Sequence, residues 1–182
     1  MSKIIAYVAD GLEEVECLAV VDVVRRAGIE IILTSIKDDK HIVSSHNIRF
    51  EADALASEVD ITDADMIFLP GGQPGTNNLQ ASPEVEKALK QFAAEGKRIA
   101  AICAAPTVLG KYGLLDGKTA TCYPGCESML GAANHVSDGV VTDGNITTAR
   151  GLGYAIALGL EIIRLLISQE KSLEIKAAIQ RD

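Results

Sequence analysis

The stretch Ile99–Gly110, IAAICAAPTVLG, decides the fold. Lys97-Arg98 give way to a short apolar run, Ile99–Ile102, whose length and composition predict a buried strand. Cys103 ends the run. Ala104, Ala105 and Pro106 follow, then Val108, Leu109 and Tyr112 at helical spacing. A strand, one nucleophilic residue, small neighbours and a helix are the plan of a nucleophile elbow. Bulky side chains would clash in so sharp a turn, and Ala101, Ala104 and Ala105 avoid that. Pro106 suits an early helical position, where its missing N–H would have no partner. Cys103 would then stand at a helix N-terminus, where unpaired N–H groups and the helix dipole favour a thiolate. The same residue also reads as a buried, inert cysteine at a strand end.

Outward from the elbow, strands alternate with helices. Lys3–Ala9 reads as a first, central strand closed by Asp10-Gly11. Residues 11–28 read as a helix with Val15, Leu18, Ala19 and Val23 as its apolar positions. Glu13, Glu14 and Glu16 load its first turn, Arg25 and Arg26 its last, and Gly28 stops it. Ile29–Ser35 is the second strand. Residues 37–56, with His41 and His46, read as a short hairpin or excursion. Ala64–Leu69 is a further buried strand, and it runs into PGGQPGTNNL, whose three glycines in Pro70–Gly75 mark a tight, exposed loop. That loop is neither a Walker loop nor G-x-G-x-x-G. Ser82–Gly96 is a helix with Ser82 as N-cap, Pro83 at the first position and Gly96 as stop. After the elbow, Gly113–Gly117 is a turn and Lys118–Tyr123 a strand. Val140–Thr142 and Ile146–Thr148 flank Asp143-Gly144-Asn145 as a hairpin. Leu152–Ser168 is a long, largely apolar helix and 170–180 a short terminal one.

This alternation predicts an α/β fold with a mostly parallel central sheet covered on both faces. The carboxyl ends of the strands then gather Gly11–Glu16, Pro70–Gly75 and Cys103 on one rim, where open α/β sheets bind ligands.

The chain's 182 residues suit one domain. A hydrophobic content of 48% with 23% charged residues is that of an ordinary soluble globular chain. The net charge of −8 and the lack of Lys/Arg runs argue against specific nucleic-acid binding. No apolar stretch is long enough to span a bilayer, and the N-terminus reads as a strand rather than a signal peptide. Cys17, Cys103, Cys122 and Cys126 form no CxxC pair and no zinc set, so a metal is not expected. Free thiols point to a reducing, cytoplasmic compartment.

A thiolate on the rim needs three kinds of help. Backbone N–H groups of Gly72 and Ala104 would supply an oxyanion hole, since a glycine lets the backbone approach closely. Glu16, just past the first strand, would carry the proton: burial beside a thiolate pushes a carboxyl toward its protonated form. The alternative for Glu13, Glu14 and Glu16 is dipole compensation on a solvated helix end. Arg150 would pair with Glu13, Glu14 or a substrate oxyanion, or make a structural ion pair.

At these residues the sequence resembles the ThiJ/PfpI superfamily, in the branch of the Parkinson's-disease-associated protein deglycase and its bacterial relatives. The resemblance rests on ADGLEEVE (Ala9–Glu16), DVVRRAGIE (Asp22–Glu30), LPGGQPGTNNL (Leu69–Leu79), AAICAAPTVL (Ala100–Leu109) and TTARGLG (Thr147–Gly153). It implies a flavodoxin-like three-layer sandwich and a homodimer. It implies Cys103 as a low-pKa nucleophile easily oxidised to sulfinate, Glu16 as the protonated carboxyl touching the sulfur, and Gly72 and Ala104 as amide donors. It also implies an interface near the site, so that His46 approaches the partner's pocket. Many relatives place a histidine on the strand that here reads Thr121-Cys122-Tyr123-Pro124, and Tyr123 stands in its place. Cys122 beside it reads as a second redox thiol or, more blandly, as a buried strand residue.

The superfamily's peptidases follow the nucleophile with histidine, whereas Ala104 follows Cys103. Glutamine amidotransferases need a downstream His-x-Glu, and His135 is followed by Val136-Ser137. Two functions are therefore expected. The first is a cofactor-free, cysteine-dependent glyoxalase or deglycase acting on 2-oxoaldehydes such as methylglyoxal and on their thiol or amine adducts. The second is a non-enzymatic redox-sensing chaperone, whose thiol would be equally accessible and reactive.

Overall fold

The structure, a computed structural model, describes residues 2–181. Seven strands form one sheet. In chain order they are β1 (Lys3–Val8), β2 (Glu30–Ser35), β5 (Ala54–Leu55), β6 (Met66–Leu69), β7 (Arg98–Ile102), β10 (Val140–Asp143) and β11 (Ile146–Ala149). Across the sheet the order is β10-β11-β7-β6-β1-β2-β5. Every pairing is parallel except the β10–β11 hairpin. The remaining strands make two small ribbons: β3 (His41–Val43) with β4 (Arg49–Glu51), antiparallel, and β8 (Thr119–Ala120) with β9 (Asn134–His135), parallel. The helices are α1 (Glu14–Arg26), α2 (Gly75–Ala81), α3 (Pro83–Ala94), α4 (Pro106–Lys111), α5 (Ala155–Leu166) and α6 (Gln169–Ala178).

Register explains the layering. Ile146, Ile99, Ile67, Ile5 and Ile32 lie side by side across five strands. Successive residues of a strand face opposite ways, so this row belongs to one face, which packs on Leu79 of α2, Val85, Leu89 and Phe92 of α3, and Val108 and Leu109 of α4. The next row, Ala100, Phe68, Ala6 and Leu33, faces Val20 and Val24 of α1, Leu158 and Ile162 of α5, and Ile175 of α6. The result is a mostly parallel sheet covered on both faces, as the alternation of strands and helices predicts, in the flavodoxin-like three-layer α/β sandwich that the family resemblance implies.

Several helix ends match their local chemistry. The Ser82 side chain accepts from the Val85 N–H with Pro83 at the first turn of α3, and Ser168 caps α6 through the Lys171 N–H.

Four expectations need correction. On α1, Val15 is 46% exposed and Leu18 is also exposed, whereas Glu14, Glu16 and Cys17 are buried. The apolar spacing pointed to the wrong side because the first turn turns its carboxylates inward. Within Pro70–Leu79, the segment from Gly75 is helical, as α2, which lacks the apolar periodicity that would have signalled it. The expected strand Lys118–Tyr123 shrinks to β8, outside the main sheet, since Pro124-Gly125 turns the chain away. The helix expected over 152–168 is two pieces, a 3-10 turn at Leu152–Tyr154 and α5, while the separate terminal helix expected over 170–180 is α6, which begins at Gln169 after the Ser168 cap.

Helices α1 and α5 pack closely because Gly159 offers no side chain. A Cβ there would lie 2.9 Å from Val23 Cγ1. Gly159→Val should therefore overpack this interface and destabilise the fold by about 1–3 kcal/mol, measured as a lower urea midpoint with unchanged slope.

Candidate active site

The chain leaves β1 toward β2 and later returns to the other side of β1 as β6. A crevice opens at such a reversal, outside the carboxyl ends of the strands. The β1–α1 connection, the glycines after β6 and the residue after β7 all face it.

Cys103 follows β7 directly. Its φ is +64°, a left-handed conformation that costs a non-glycine residue about 1–3 kcal/mol. Two backbone bonds hold it there. Its N–H donates to the Ala149 carbonyl at 2.8 Å, and its own carbonyl accepts from the Tyr123 N–H at 2.8 Å. The thiol is thus turned out of the strand as an elbow requires, half-buried, with the N–H groups of Ala104 and Gly72 directed at the sulfur. Helix α4 is only six residues long, so these two amides, rather than an extended helix dipole, are the local source of positive charge.

Glu16 lies in the first turn of α1 and is 1% exposed. The Glu13 carboxylate caps this turn by accepting from the Glu16 N–H at 2.6 Å. The Glu16 carboxyl meets the Cys103 side chain and the N–H groups of Gly71 and Leu152. Its Oε2 is buried with no partner of good hydrogen-bond geometry, a position suited to a protonated oxygen facing sulfur.

Gly71 makes the contact possible, and sequence reasoning missed it in favour of Gly72. A Cβ on Gly71 would collide with Glu16 Oε2 and would lie 2.6 Å from Cys103 Cβ and 2.8 Å from the Ile102 carbonyl oxygen. Gly72 has a different reason to be glycine: its φ is +91°, and a Cβ would run into the backbone of Leu12 and Glu13. The signal available in the sequence was the doubled glycine after Pro70, since one tight turn needs only one.

Burial pushes the Glu16 carboxyl up to about 7, and the nearby Glu13 charge adds to this. Burial and then the negative charge of Glu16 push the Cys103 thiol up to about 12, against the pull of the Ala104 and Gly72 amides. The two groups therefore share protons and titrate as a pair. Burial and the Glu16 charge thus act against the low-pKa thiolate that the resemblance implies, and the Ala104 and Gly72 amides act for it. A proton passed from the sulfur to Glu16 would leave the net charge of the pair unchanged, so the carboxyl is the group to which the thiol can lose its proton at least electrostatic cost.

The other expected residues are placed as follows. Arg150 makes no ion pair with Glu13 or Glu14. Its N–H donates to the Gly139 carbonyl, and its guanidinium reaches the Ser137 carbonyl at 3.5 Å. His46 Nδ1 lies 3.0 Å from Glu14 Oε1 and 3.9 Å from Glu13 Oε1, on the outer side of the same helix end. Tyr123 is 54% exposed at the mouth, tied to the elbow through its N–H. Cys122 is buried, in line with the bland reading. Among the described residues, Glu13, Glu14 and His46 are the one grouping of three potential metal ligands, with ligand atoms within 4.8 Å of one another. Within this group, His46 Nδ1 contacts the Glu14 carboxylate. Recesses of about 370 and 480 Å³ lie elsewhere, beside Asp10 and Lys37 and between α5 and α6, and neither includes Cys103.

The model of the DJ-1/PfpI family matches residues 2–165. The chain belongs to the DJ-1/PfpI family. Protein dj-1beta of Drosophila melanogaster is 37% identical over 178 residues, covering 96% of this chain and 95% of that protein. Protein DJ-1 homolog B of Arabidopsis thaliana is 35% identical over 97% of this chain, but the chain spans only 41% of that relative's length, and 45% of homolog A's. The Caenorhabditis elegans protein named glutathione-independent glyoxalase DJR-1.2 is 28% identical over 94% of this chain and 91% of its own. Among solved structures, oxidised Toxoplasma gondii DJ-1 superposes with a TM-score of 0.96 at 34% identity, covering 100% of this chain and 99% of that one. No helix among the described residues is long and apolar enough to cross a membrane.

Two outcomes follow from this geometry. Gly71→Ala should drive Glu16 and Cys103 apart and slow alkylation of Cys103 by iodoacetamide at pH 8 by at least about tenfold. Circular dichroism would verify that the variant remains folded. The raised Glu16 carboxyl also has a stability signature. Its neutral form is favoured in the folded state, so ionisation costs stability as pH rises from 4.5 to about 7. At about 1.4 kcal/mol per tenfold change in proton affinity, the full effect is about 3 kcal/mol. Glu16→Gln lacks this titration, so its stability relative to the parent should climb by that order between pH 4.5 and pH 8 in urea unfolding.

Proposed function

We propose that the protein is a cofactor-free, cysteine-dependent enzyme that converts small 2-oxoaldehydes to 2-hydroxy acids and releases thiols or amines from their 2-oxoaldehyde adducts. The observation that carries this reading is the contact of a buried, proton-holding Glu16 with an elbow cysteine whose sulfur faces two backbone amides. The family match and the name of the nematode relative support the same chemistry.

The steps need only this chain, the substrate and water. Cys103 passes its proton to Glu16, and the sulfur adds to the aldehyde carbon. Glu16 returns the proton to the resulting alkoxide, which gives a hemithioacetal and leaves a carboxylate. That carboxylate removes the hydrogen on the former aldehyde carbon, the electron pair moves onto the neighbouring carbonyl oxygen, and this oxygen takes the hydroxyl proton of the first carbon, which leaves an enediolate with its charge on the first oxygen. Glu16 then delivers the proton to the neighbouring carbon. One carbon is oxidised and the other reduced, so no outside redox partner is required. Water hydrolyses the 2-hydroxy thioester, freeing the acid and the thiol. The Gly72 and Ala104 N–H groups stabilise the negative charge as it forms. Glutamine at position 16 could accept a hydrogen bond but could not shuttle the proton.

Exposed Val15 and Leu18 on α1, together with exposed Ile48 after the His46 segment that pairs with Glu14, present apolar surface beside the site. We read this surface as a homodimer interface, with the dimer working in the cytoplasm.

With methylglyoxal and no added cofactor or glutathione, the parent should form lactate, Cys103→Ser none, and Glu16→Gln at least about 100-fold less. The parent rate should rise through about pH 7, as the pair loses the first of its two protons. Normal turnover by Glu16→Gln would overturn the mechanism. No lactate from the parent would overturn the enzymatic reading and favour oxidation of Cys103 as the function.

A further inference from the structure

Gly151 has an extended backbone, φ 163° and ψ −170°, which any residue can adopt. The main chain therefore does not demand glycine here. A Cβ at this position would lie 3.5 Å from Tyr123 Cδ2 and 4.0 Å from Glu16 Oε1, ordinary van der Waals spacings. Its absence leaves a methyl-sized gap between an aromatic ring and the proton-carrying carboxyl. Gly151 itself is buried and Tyr123 is largely exposed, so the gap continues outward along the ring.

Both walls are fixed relative to the nucleophile. The Tyr123 N–H donates to the Cys103 carbonyl at 2.8 Å, and the Leu152 N–H donates to the Glu16 carboxyl. The Tyr123 hydroxyl makes no hydrogen bond to another described residue, so no polar contact turns the ring away from the gap. The gap lies against the same carboxyl that meets the sulfur, so a substrate carbon bonded to Sγ can turn its neighbouring substituent into it.

We propose that the Gly151 gap receives the apolar substituent of a 2-oxoaldehyde, and that the face of Tyr123 makes the site selective for an aromatic substituent over methyl and for methyl over hydrogen. This rests on the enzymatic reading above. A methyl group fills the gap, and an aryl ring fills it and continues in offset contact with Tyr123, the arrangement aromatic pairs favour. Tyr123 and Gly151 act here as specificity determinants and take no part in proton transfer.

Initial rates with glyoxal, methylglyoxal and phenylglyoxal test the selectivity. The parent should favour phenylglyoxal over glyoxal by at least about tenfold in kcat/KM, mostly through KM. Tyr123→Ala should remove most of that ratio, Tyr123→Phe should retain it, and Gly151→Ala should lower it by narrowing the gap. A second measurement does not need turnover. Mandelate and lactate, the hydroxy acids that phenylglyoxal and methylglyoxal would yield, are compared as protectants of Cys103 against iodoacetamide. Mandelate should protect at a concentration about tenfold lower, and Tyr123→Ala should abolish the difference. Selective protection without turnover would leave the gap assignment standing while overturning the enzymatic reading. Turnover with equal kcat/KM for the three aldehydes, or equal protection by the two acids, would overturn the gap assignment and leave the enzymatic reading intact.

Discussion

The site depends on a carboxyl pressed against a thiol in a place that water does not reach. Glu16 is 1% exposed and packs on Cys103. A carboxylate moved there alone would be costly, so the group keeps a proton to about pH 7. Much of the surrounding backbone serves this contact. Gly71 makes room between the two side chains. Glu13 caps the turn that presents Glu16. The left-handed backbone of Cys103, clamped by Ala149 and Tyr123, directs the thiol at the carboxyl.

The sheet holds the three contributing segments at fixed spacing. Strands β1, β6 and β7 are consecutive neighbours, and each is buried along nearly its whole length. Their register is locked because a slip by one residue would send the isoleucine row to the opposite helical layer. A parallel arrangement brings all three carboxyl ends to one edge, so segments far apart in sequence converge without a long loop. The strain at Cys103 can persist only on such a support, since a looser scaffold would relax it.

The fold was legible because its signals are local and repeated. Apolar runs of four to six residues, Gly stops and Ser-Pro starts recur along the chain, and each can be read without its neighbours in space. The failures have a common cause in tertiary contacts. The buried face of α1 carries Glu14 and Glu16 where periodicity favours apolar residues, so Val15 and Leu18 pointed the wrong way. The elbow at Cys103 could be read from small flanking residues, whereas the doubled glycine after Pro70 marked Gly71 without giving its role, because its need for space arises from Glu16 and Cys103, 55 and 32 positions away. Arg150 carried an expectation of ion pairing that its charge alone suggested. Its backbone is instead tied to Gly139, and its guanidinium turns toward Ser137.

The shared proton also settles what a short helix can do for a buried thiol. With six residues, α4 offers two useful amide dipoles at the sulfur, from Ala104 and, across the crevice, Gly72. These do not overcome burial and the Glu16 charge while Glu16 is ionised, so the thiol then holds its proton up to about pH 12. Once Glu16 takes that proton, the like charge vanishes and a hydrogen-bond donor replaces it. Both changes favour the thiolate at no change in the net charge of the pair. The carboxyl thus serves as the thiol's counterpart as well as its neighbour. A permanent cation would hold the thiolate equally well but could not receive a proton from carbon, whereas a carboxyl near neutrality does both. The absence of a histidine at Tyr123 is then chemically consistent, because the proton-accepting task already has an occupant on α1.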